Sequence, residues 1–413
     1  MPTDEKTRKL RHWKKKIIIM AWITYASFYL IRVNFSVAIP GIIKEFGISK
    51  TEIGMVLTAL FFAYAFGQFV NGQLADKFGA RKLVFIGLLV SSIINIIFGF
   101  TSGFLAGMML LWALNGYFQS MGWSSIVKTV SCWFPRKTRG RASGILGSSY
   151  IFGSAASLAL AGFIVGAFGW RWAFFLPAFI TVIIATLWFL KIRESCEEEG
   201  FEPVEEDIIK YQGIRHSFGL ILRDKGIWLA SFALFGLNIV RYGFIDWAPT
   251  YFFEVQKAAI SLAAYKTLVF PLAGVVGALF SGWASDKLFK SQRAPMAIIM
   301  LLALAFFSFI FPNIPQDAWI LSLIVLAIIG FLTFGPHMLI VTAIPMDLGT
   351  KERAASATGF IDGWGYIGAA LTGVGTGFLL DNFNWSYAFY FWISGAIIAA
   401  ILMVILWKHK REA

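Results

Sequence analysis

The chain has 413 residues, 58% hydrophobic and 14% charged, with a formal net charge of +13. This composition excludes a soluble globular protein, which needs far more polar surface; apolar runs of about 20 residues mark membrane-spanning helices instead. A net positive charge in a soluble chain would point to nucleic acid, but here the placement of the basic residues points to a membrane topology.

The first 16 residues carry seven lysines and arginines. The apolar stretch 17–39 that follows is too long for the core of a signal peptide and contains Arg32, so it reads as the first span. Further apolar runs fall at 53–75, 83–101, 105–132, 141–167, 171–191, 227–252, 259–284, 295–311, 318–345, 354–379 and 385–407, twelve spans in all. Basic clusters at Lys77, Arg81 and Lys82, at Arg136 to Arg141, at Lys287 to Arg293, at Lys351 and Arg353, and at Lys408 to Arg411 mark alternate loops. By the positive-inside rule both termini are expected in the cytoplasm, in a multi-pass protein of the cell membrane. A Glu-rich polar segment, 192–225, separates spans six and seven and reads as a linker with room for a short surface helix. The expected organisation is therefore a six-helix bundle over 1–191, a cytoplasmic linker over 192–225 and a second six-helix bundle over 226–413. Cys132 and Cys196 make neither a disulfide framework nor a metal spacing, and no cofactor or metal is expected.

The halves repeat. "YLIRVNF" (Tyr29–Phe35) in span one resembles "NIVRYGF" (Asn238–Phe244) in span seven. "GQLADKFGARK" after span two resembles "GWASDKLFKSQR" after span eight. Arg32 and Arg241 are 209 residues apart, and Asp76 and Asp286 are 210 apart, two landmarks in one register. A parallel six-plus-six repeat places a substrate site between the halves near mid-membrane. "GQLADKFGARK" resembles the signature loop of the major facilitator superfamily. That resemblance implies an all-α fold of twelve transmembrane helices in two pseudo-symmetric bundles. It also implies a latch in which Gly72 lets helices approach and Asp76, Arg81 and Lys82 tie cytoplasmic ends together, with Asp286 as the counterpart acid. "YLIRVNF", "NGYFQSMGW" (Asn115–Trp123), "RYGFIDWAPTYF" and "FLTFGPHMLI" (Phe331–Ile340) are similar to the organophosphate:phosphate antiporters, which include glycerol-3-phosphate and hexose-phosphate carriers. In that family, arginines matching Arg32 and Arg241 bind phosphate.

Chemistry supports that role. An arginine at the centre of a membrane helix costs roughly 2.5–3.5 kcal/mol on insertion scales, and each of these lies about 20 Å from the cytoplasmic end of its span. The guanidinium fork matches phosphate oxygens as lysine cannot. A structural ion pair is the other reading, with Asp246 the nearest acid to Arg241, but five residues along a helix is about 140° around it. Two guanidiniums on the order of 10 Å apart repel by roughly 1.7 kcal/mol at an effective dielectric near 20. A bound dianion relieves this, so exchange rather than one-way flux is expected.

Tyr25, Tyr29 and Arg32 share one helical face, where the tyrosines either bind the anion or pack between helices. Trp123, Tyr150 and Tyr242 are further binding candidates, with Trp247 and Tyr366 behind them. Asn115 and Gln119 are either site or helix glue. Asp246 and Asp362 are candidates for gating or coupling; Asp362 pairs with a buried base, carries a proton or touches substrate. Lys128 and Lys266 fit snorkelling. His337, alone on an apolar span, is read as packed and outside the site. Relative to the family, Val33 stands where a lysine usually follows the first arginine, Gln68 stands for a second lysine, and Tyr150 stands for a histidine. A small organic phosphate and inorganic phosphate are the expected partners, with membrane lipid around a monomer and no nucleic acid. A proton-coupled organic-anion symporter and a transporter-like sugar-phosphate sensor are the alternatives. No nucleophile–base set appears, so an enzyme is not expected.

Overall fold

A computed structural model describes residues 3–202, 222–290, 292–344 and 351–412. Among them the chain is helical, with no strand. In the first half, α1 (Thr3–Leu30), α2 (Asn34–Phe46), α3 (Lys50–Phe78), α4 (Ala80–Gly99), α5 (Leu105–Gln119), α6 (Met121–Trp133), α7 (Arg136–Phe168) and α8 (Trp172–Lys191) follow one another. The second half holds α9 (Lys225–Glu254), α10 (Ile260–Thr267), α11 (Val269–Leu288), α12 (Arg293–Ile310), α13 (Trp319–Met338), α14 (Lys351–Asn382) and α15 (Trp385–Glu412).

These helices form twelve crossings. Nine segments among the described residues are long and apolar enough to span a membrane, the first running Glu5–Phe46 through α1 and α2. The others are α3 with 29 residues, α14 with 32, and α5 and α6 end to end through Ser120. At about 1.5 Å per residue, α3 and α14 each exceed a hydrocarbon layer of about 30 Å. Phe62, Phe66, Leu279 and Phe306 are exposed on the outside of the bundle, where lipid is the solvent that suits them.

Among the described residues of the linker, Glu197–Glu199 form a 3-10 turn. The linker is tied to the first turn of α4: Glu194 accepts from the Arg81 backbone N–H at 3.1 Å, and Arg81 donates to the Ile192 carbonyl at 3.2 Å. Residues 203–221 lie outside the described set, and so do the side chains of Gly72 and Asp76 from the expected latch. Asp286, the counterpart acid, meets Arg293 at 2.5 Å.

The halves approach closely at the ends remote from the basic loops. A Cβ on Gly54 of α3 would collide with the Gly373 carbonyl of α14, and one on Gly377 with the Lys50 carbonyl. Thr58 donates to the Ala370 carbonyl at 2.5 Å and accepts from the Val374 N–H at 3.0 Å. The second seam joins α7 and α10, where Gly162 faces Ala264 and Gly166 faces Ser261. Gly373 and Gly377 serve close packing, as does Gly153, which lies on the Ala26 backbone, whereas Gly144 and Gly147 have open space around them.

Candidate functional site

The first span is broken where it carries its arginine. α1 stops at Leu30 and α2 starts at Asn34, leaving Ile31, Arg32 and Val33 in a turn at mid-membrane depth. A broken helix frees backbone groups that lipid cannot satisfy, so the protein must. Asn95 from α4, Asn115 and Gln119 from α5 all donate to the Ile31 carbonyl, at 3.1, 3.0 and 3.0 Å. Asn34 closes the other side, donating to Asn95 at 3.0 Å and to the Ala173 carbonyl at 2.9 Å. Four amide side chains, all buried, therefore stabilise the break.

The same cluster aims Arg32. Gln119 accepts from its Nε at 2.5 Å. Its two terminal nitrogens, Nη1 and Nη2, are buried with no hydrogen-bond partner among the described residues. The guanidinium lies between the rings of Tyr29 and Tyr64, 4.8 and 4.5 Å from their centroids. A cation–π sandwich holds the plane while leaving the in-plane donors free.

Arg241 sits in unbroken helix, in a stretch of α9 buried at every residue from Gly236 to Phe252. Its Nη1 meets Nε2 of His337 at 3.0 Å, and its Nε has no partner among the described residues. A guanidinium can only donate, so His337 presents Nε2 as a lone pair and carries its proton on Nδ1. Nδ1 lies 3.4 Å from the Tyr150 hydroxyl, which also reaches Met338 Sδ at 3.7 Å. The rings of Tyr150, Tyr242 and Phe334 surround Arg241 at 5.0 to 5.4 Å.

A belt of tyrosines connects the two arginines. One arm runs Tyr29 to Tyr150, with centroids 6.2 Å apart. The other runs Tyr64 to Tyr366 at 4.3 Å and on to Tyr242 at 6.1 Å, with Phe61 against Tyr242 at 4.4 Å. The hydroxyls of Tyr64 and Tyr242 are buried and unpartnered among the described residues. Tyr25 extends the belt, edge-on to Tyr29 at 5.9 Å and against Trp123 at 4.7 Å. Arg32, Arg241, Tyr25, Tyr29, Trp123, Tyr150 and Tyr242 are thus linked by one chain of ring and cation contacts that crosses from the first half to the second. Gln119 joins them through Arg32.

The carboxylates stand apart from the arginines. Among the described residues no acid lies within ion-pair distance of Arg32 or Arg241. Asp246 is buried and Asp362 half-buried. Lys128 donates to the Ala75 carbonyl at 3.1 Å and Lys266 to Gln256 at 3.0 Å, both away from the belt. The sequence reading does not point to Tyr64, which is hidden in the Phe-rich run of α3. His337 is packed and hydrogen-bonded, as expected of a lone histidine on an apolar span, and its partners are Arg241 and Tyr150.

Residues 21–373 match the Major Facilitator Superfamily. The chain belongs to this superfamily. It is therefore a transporter-type membrane protein and not an enzyme, as the sequence indicates. It is 33% identical to a "Glycerol-3-phosphate transporter" of Bacillus subtilis (strain 168), over 96% of this chain and 93% of that one. It is 29% identical to a "Probable hexose phosphate transport protein" of Chlamydia trachomatis serovar D, over 98% and 93%. These relatives bear out the resemblance to the organophosphate carriers. Among solved structures, a bacterial homologue of the human lysosomal transporter Spinster, crystallised "in Inward-facing And Unoccupied Conformation", superposes with a TM-score of 0.77 at 15% identity, over 97% of each chain. That likeness shows the superfamily fold alone.

Proposed function

We propose that this transporter moves a phosphorylated organic anion across the cell membrane by alternating access, in exchange for inorganic phosphate. The observation that carries the reading is the pair of buried guanidiniums, one from each half, which among the described residues keep unpartnered N–H donors and have no carboxylate within ion-pair distance. The relatives named for glycerol 3-phosphate and hexose phosphate transport point to the same ligand chemistry.

Arg32 supplies the forked contact through Nη1 and Nη2, and Gln119 positions it without needing to touch the substrate. Arg241 takes the facing oxygens when the anion displaces His337 from Nη1. An empty site brings two cations together as the halves close, whereas a dianion between them removes the repulsion. Loaded states therefore interconvert faster than the empty one. Residues 1–191 and 226–413 are the two bodies that rock, joined by the linker over 192–225. The protein works as a monomer in lipid with both termini in the cytoplasm. The glycine seams at the remote ends form the closed side, and Asp76, Arg81 and Asp286 belong to the latch at the other.

The test is counterflow. Purified protein in liposomes loaded with radiolabelled phosphate should release it at least about tenfold faster when external phosphate or glycerol 3-phosphate is present. Equal rates with and without external anion would defeat the exchange mechanism. Proton-coupled symport is the second reading, favoured by Asp246 and Asp362, two acids inside the spans that have no ion-pair partner among the described residues. It predicts that collapsing the pH gradient slows uptake, where an exchanger keeps running.

A further inference from the structure

Two carboxyl groups, Asp246 and Asp362, lie in the same spans of the second half as the site's other residues. Arg32 and Arg241 bring two positive charges, and Asp246 and Asp362 bring two negative ones when ionised. The four groups do not pair with each other, although pairing is the ordinary fate of buried opposite charges. A cavity that keeps cations and anions apart suits a ligand that does the same. A plain phosphate monoester answers the arginines and leaves both carboxylates uncompensated. The cations stacked on the rings of Tyr29, Tyr64, Tyr150 and Tyr242 are the two arginines themselves.

The surroundings of Asp362 fit an ammonium group. Tyr366 follows it by one turn of α14, on the same face. The Tyr366 ring in turn lies 4.3 Å from Tyr64 and 6.1 Å from Tyr242, so this face of α14 turns toward the tyrosine belt. Tyr29 and Tyr64 already sandwich Arg32, and Tyr150 and Tyr242 already flank Arg241. Tyr25 and Trp123, whose rings meet at 4.7 Å, do not stack on either arginine and remain as aromatic wall. Aromatic faces beside a carboxylate are a setting that attracts a ligand cation.

We infer that the preferred substrate is a phosphate ester or phosphonate carrying a primary amine, with its phosphorus group on Arg32 and Arg241 and its ammonium on Asp362 beside the Tyr366 ring. This rests on the phosphate-transport reading above. The ligand's ammonium takes the place of one of the two compensating cations that a plain dianion would need, and it does so without a proton.

Binding of 2-aminoethyl phosphate, ethyl phosphate and inorganic phosphate to the purified full-length protein tests this by calorimetry at one pH. The two esters differ in little but the ammonium. The expected result is that 2-aminoethyl phosphate binds at least about tenfold more tightly than ethyl phosphate. Asp362→Asn should erase that preference and tighten ethyl phosphate, and Asp362→Glu should keep the preference. Equal or tighter binding of ethyl phosphate to the wild type overturns the inference, as does a preference that survives Asp362→Asn. If Asp362→Asn does not fold, the wild-type and Asp362→Glu comparisons decide alone. Equal binding of all three anions, lost in Arg241→Lys, leaves the phosphate reading standing and the amine inference refuted. Binding of none refutes both.

Discussion

Arg32 and Arg241 occupy repeat-related positions and live in different structures. Arg32 stands in a turn between two helices, held by Gln119 at Nε, with both terminal nitrogens free. Arg241 stands in continuous helix, with a terminal nitrogen engaged by His337. Internal symmetry therefore supplies two cations at one depth, and local chemistry divides their work. The first is rigid and open, whereas the second is guarded by a partner that must leave. The difference is rooted in Asn95, Asn115 and Gln119, which converge on the Ile31 carbonyl.

The sharpest way to test that division is to replace each arginine by lysine, which keeps the charge and loses the fork. Arg32→Lys removes two free donors, each worth about 1.5–3 kcal/mol to a charged acceptor. Phosphate counterflow should fall about a hundredfold or more. Arg241→Lys should fall less, by about tenfold, because one of its donors already has a neutral partner in the resting protein. Equal losses at the two sites would erase the proposed asymmetry.

A smaller effect is expected at the break itself. Gln119→Leu removes one donor to Ile31 and the acceptor for Arg32 Nε, leaving a buried guanidinium nitrogen without a partner. That costs about 1–3 kcal/mol. The thermal midpoint should drop and phosphate affinity should weaken together. His337→Gln, the matching change in the other half, retains an acceptor for Arg241 and disturbs no helix. It should leave the thermal midpoint in place and change phosphate affinity by only about threefold. If His337→Gln is the more destabilising of the two, the break is not what distinguishes the halves.

Much of this was legible in the sequence, for a physical reason. A buried arginine is costly enough in lipid that two of them at matching depth demand an explanation. The repeat and the spacing of Tyr25, Tyr29 and Arg32 put them on one face. The break at Ile31 to Val33 was not legible, because "IRV" contains no glycine or proline. Its cause lies in amide side chains 64 to 88 residues further along the chain. Tyr64 was missed because Phe61, Phe62 and Phe66 around it give no periodic sign of which face turns inward. That His337 is packed and hydrogen-bonded was legible, but an isolated histidine shows nothing of which partners it has until Tyr150 and Arg241 are brought to it from two other helices.

The asymmetry extends to the closed end of the molecule, where its effect should be smallest. α3 begins with a capping box in which Ser49 and Glu52 hold each other's backbone N–H. Asp381, beyond the 354–379 span and from the opposite half, adds a second cap. It accepts from the N–H groups of Lys50 and Thr51 at 3.1 and 2.7 Å and from the Thr51 hydroxyl at 2.6 Å. The counterpart start of α10, at Ala259, has no side-chain cap. Burial pushes the Asp381 carboxyl up, but the hydrogen bonds from Thr51 and Lys50 outweigh it and hold the group below its ordinary value of 3.8. A depressed value means the cap contributes in full above the ordinary carboxylate range and is lost only as pH falls through the lowered value. Between pH 5 and 8, a window about one unit or more above an ordinary carboxylate, this contact should therefore not titrate. Because the site is exposed, Asp381→Asn should weaken the closed end by only about 0.5–1 kcal/mol. A fluorophore pair on the remote ends of α3 and α14 should report a small shift toward the open state, with no pH dependence across that window. A large opening, or one that tracks pH near neutrality, would mean that Asp381 rather than the Gly54–Gly373 contact holds the halves together.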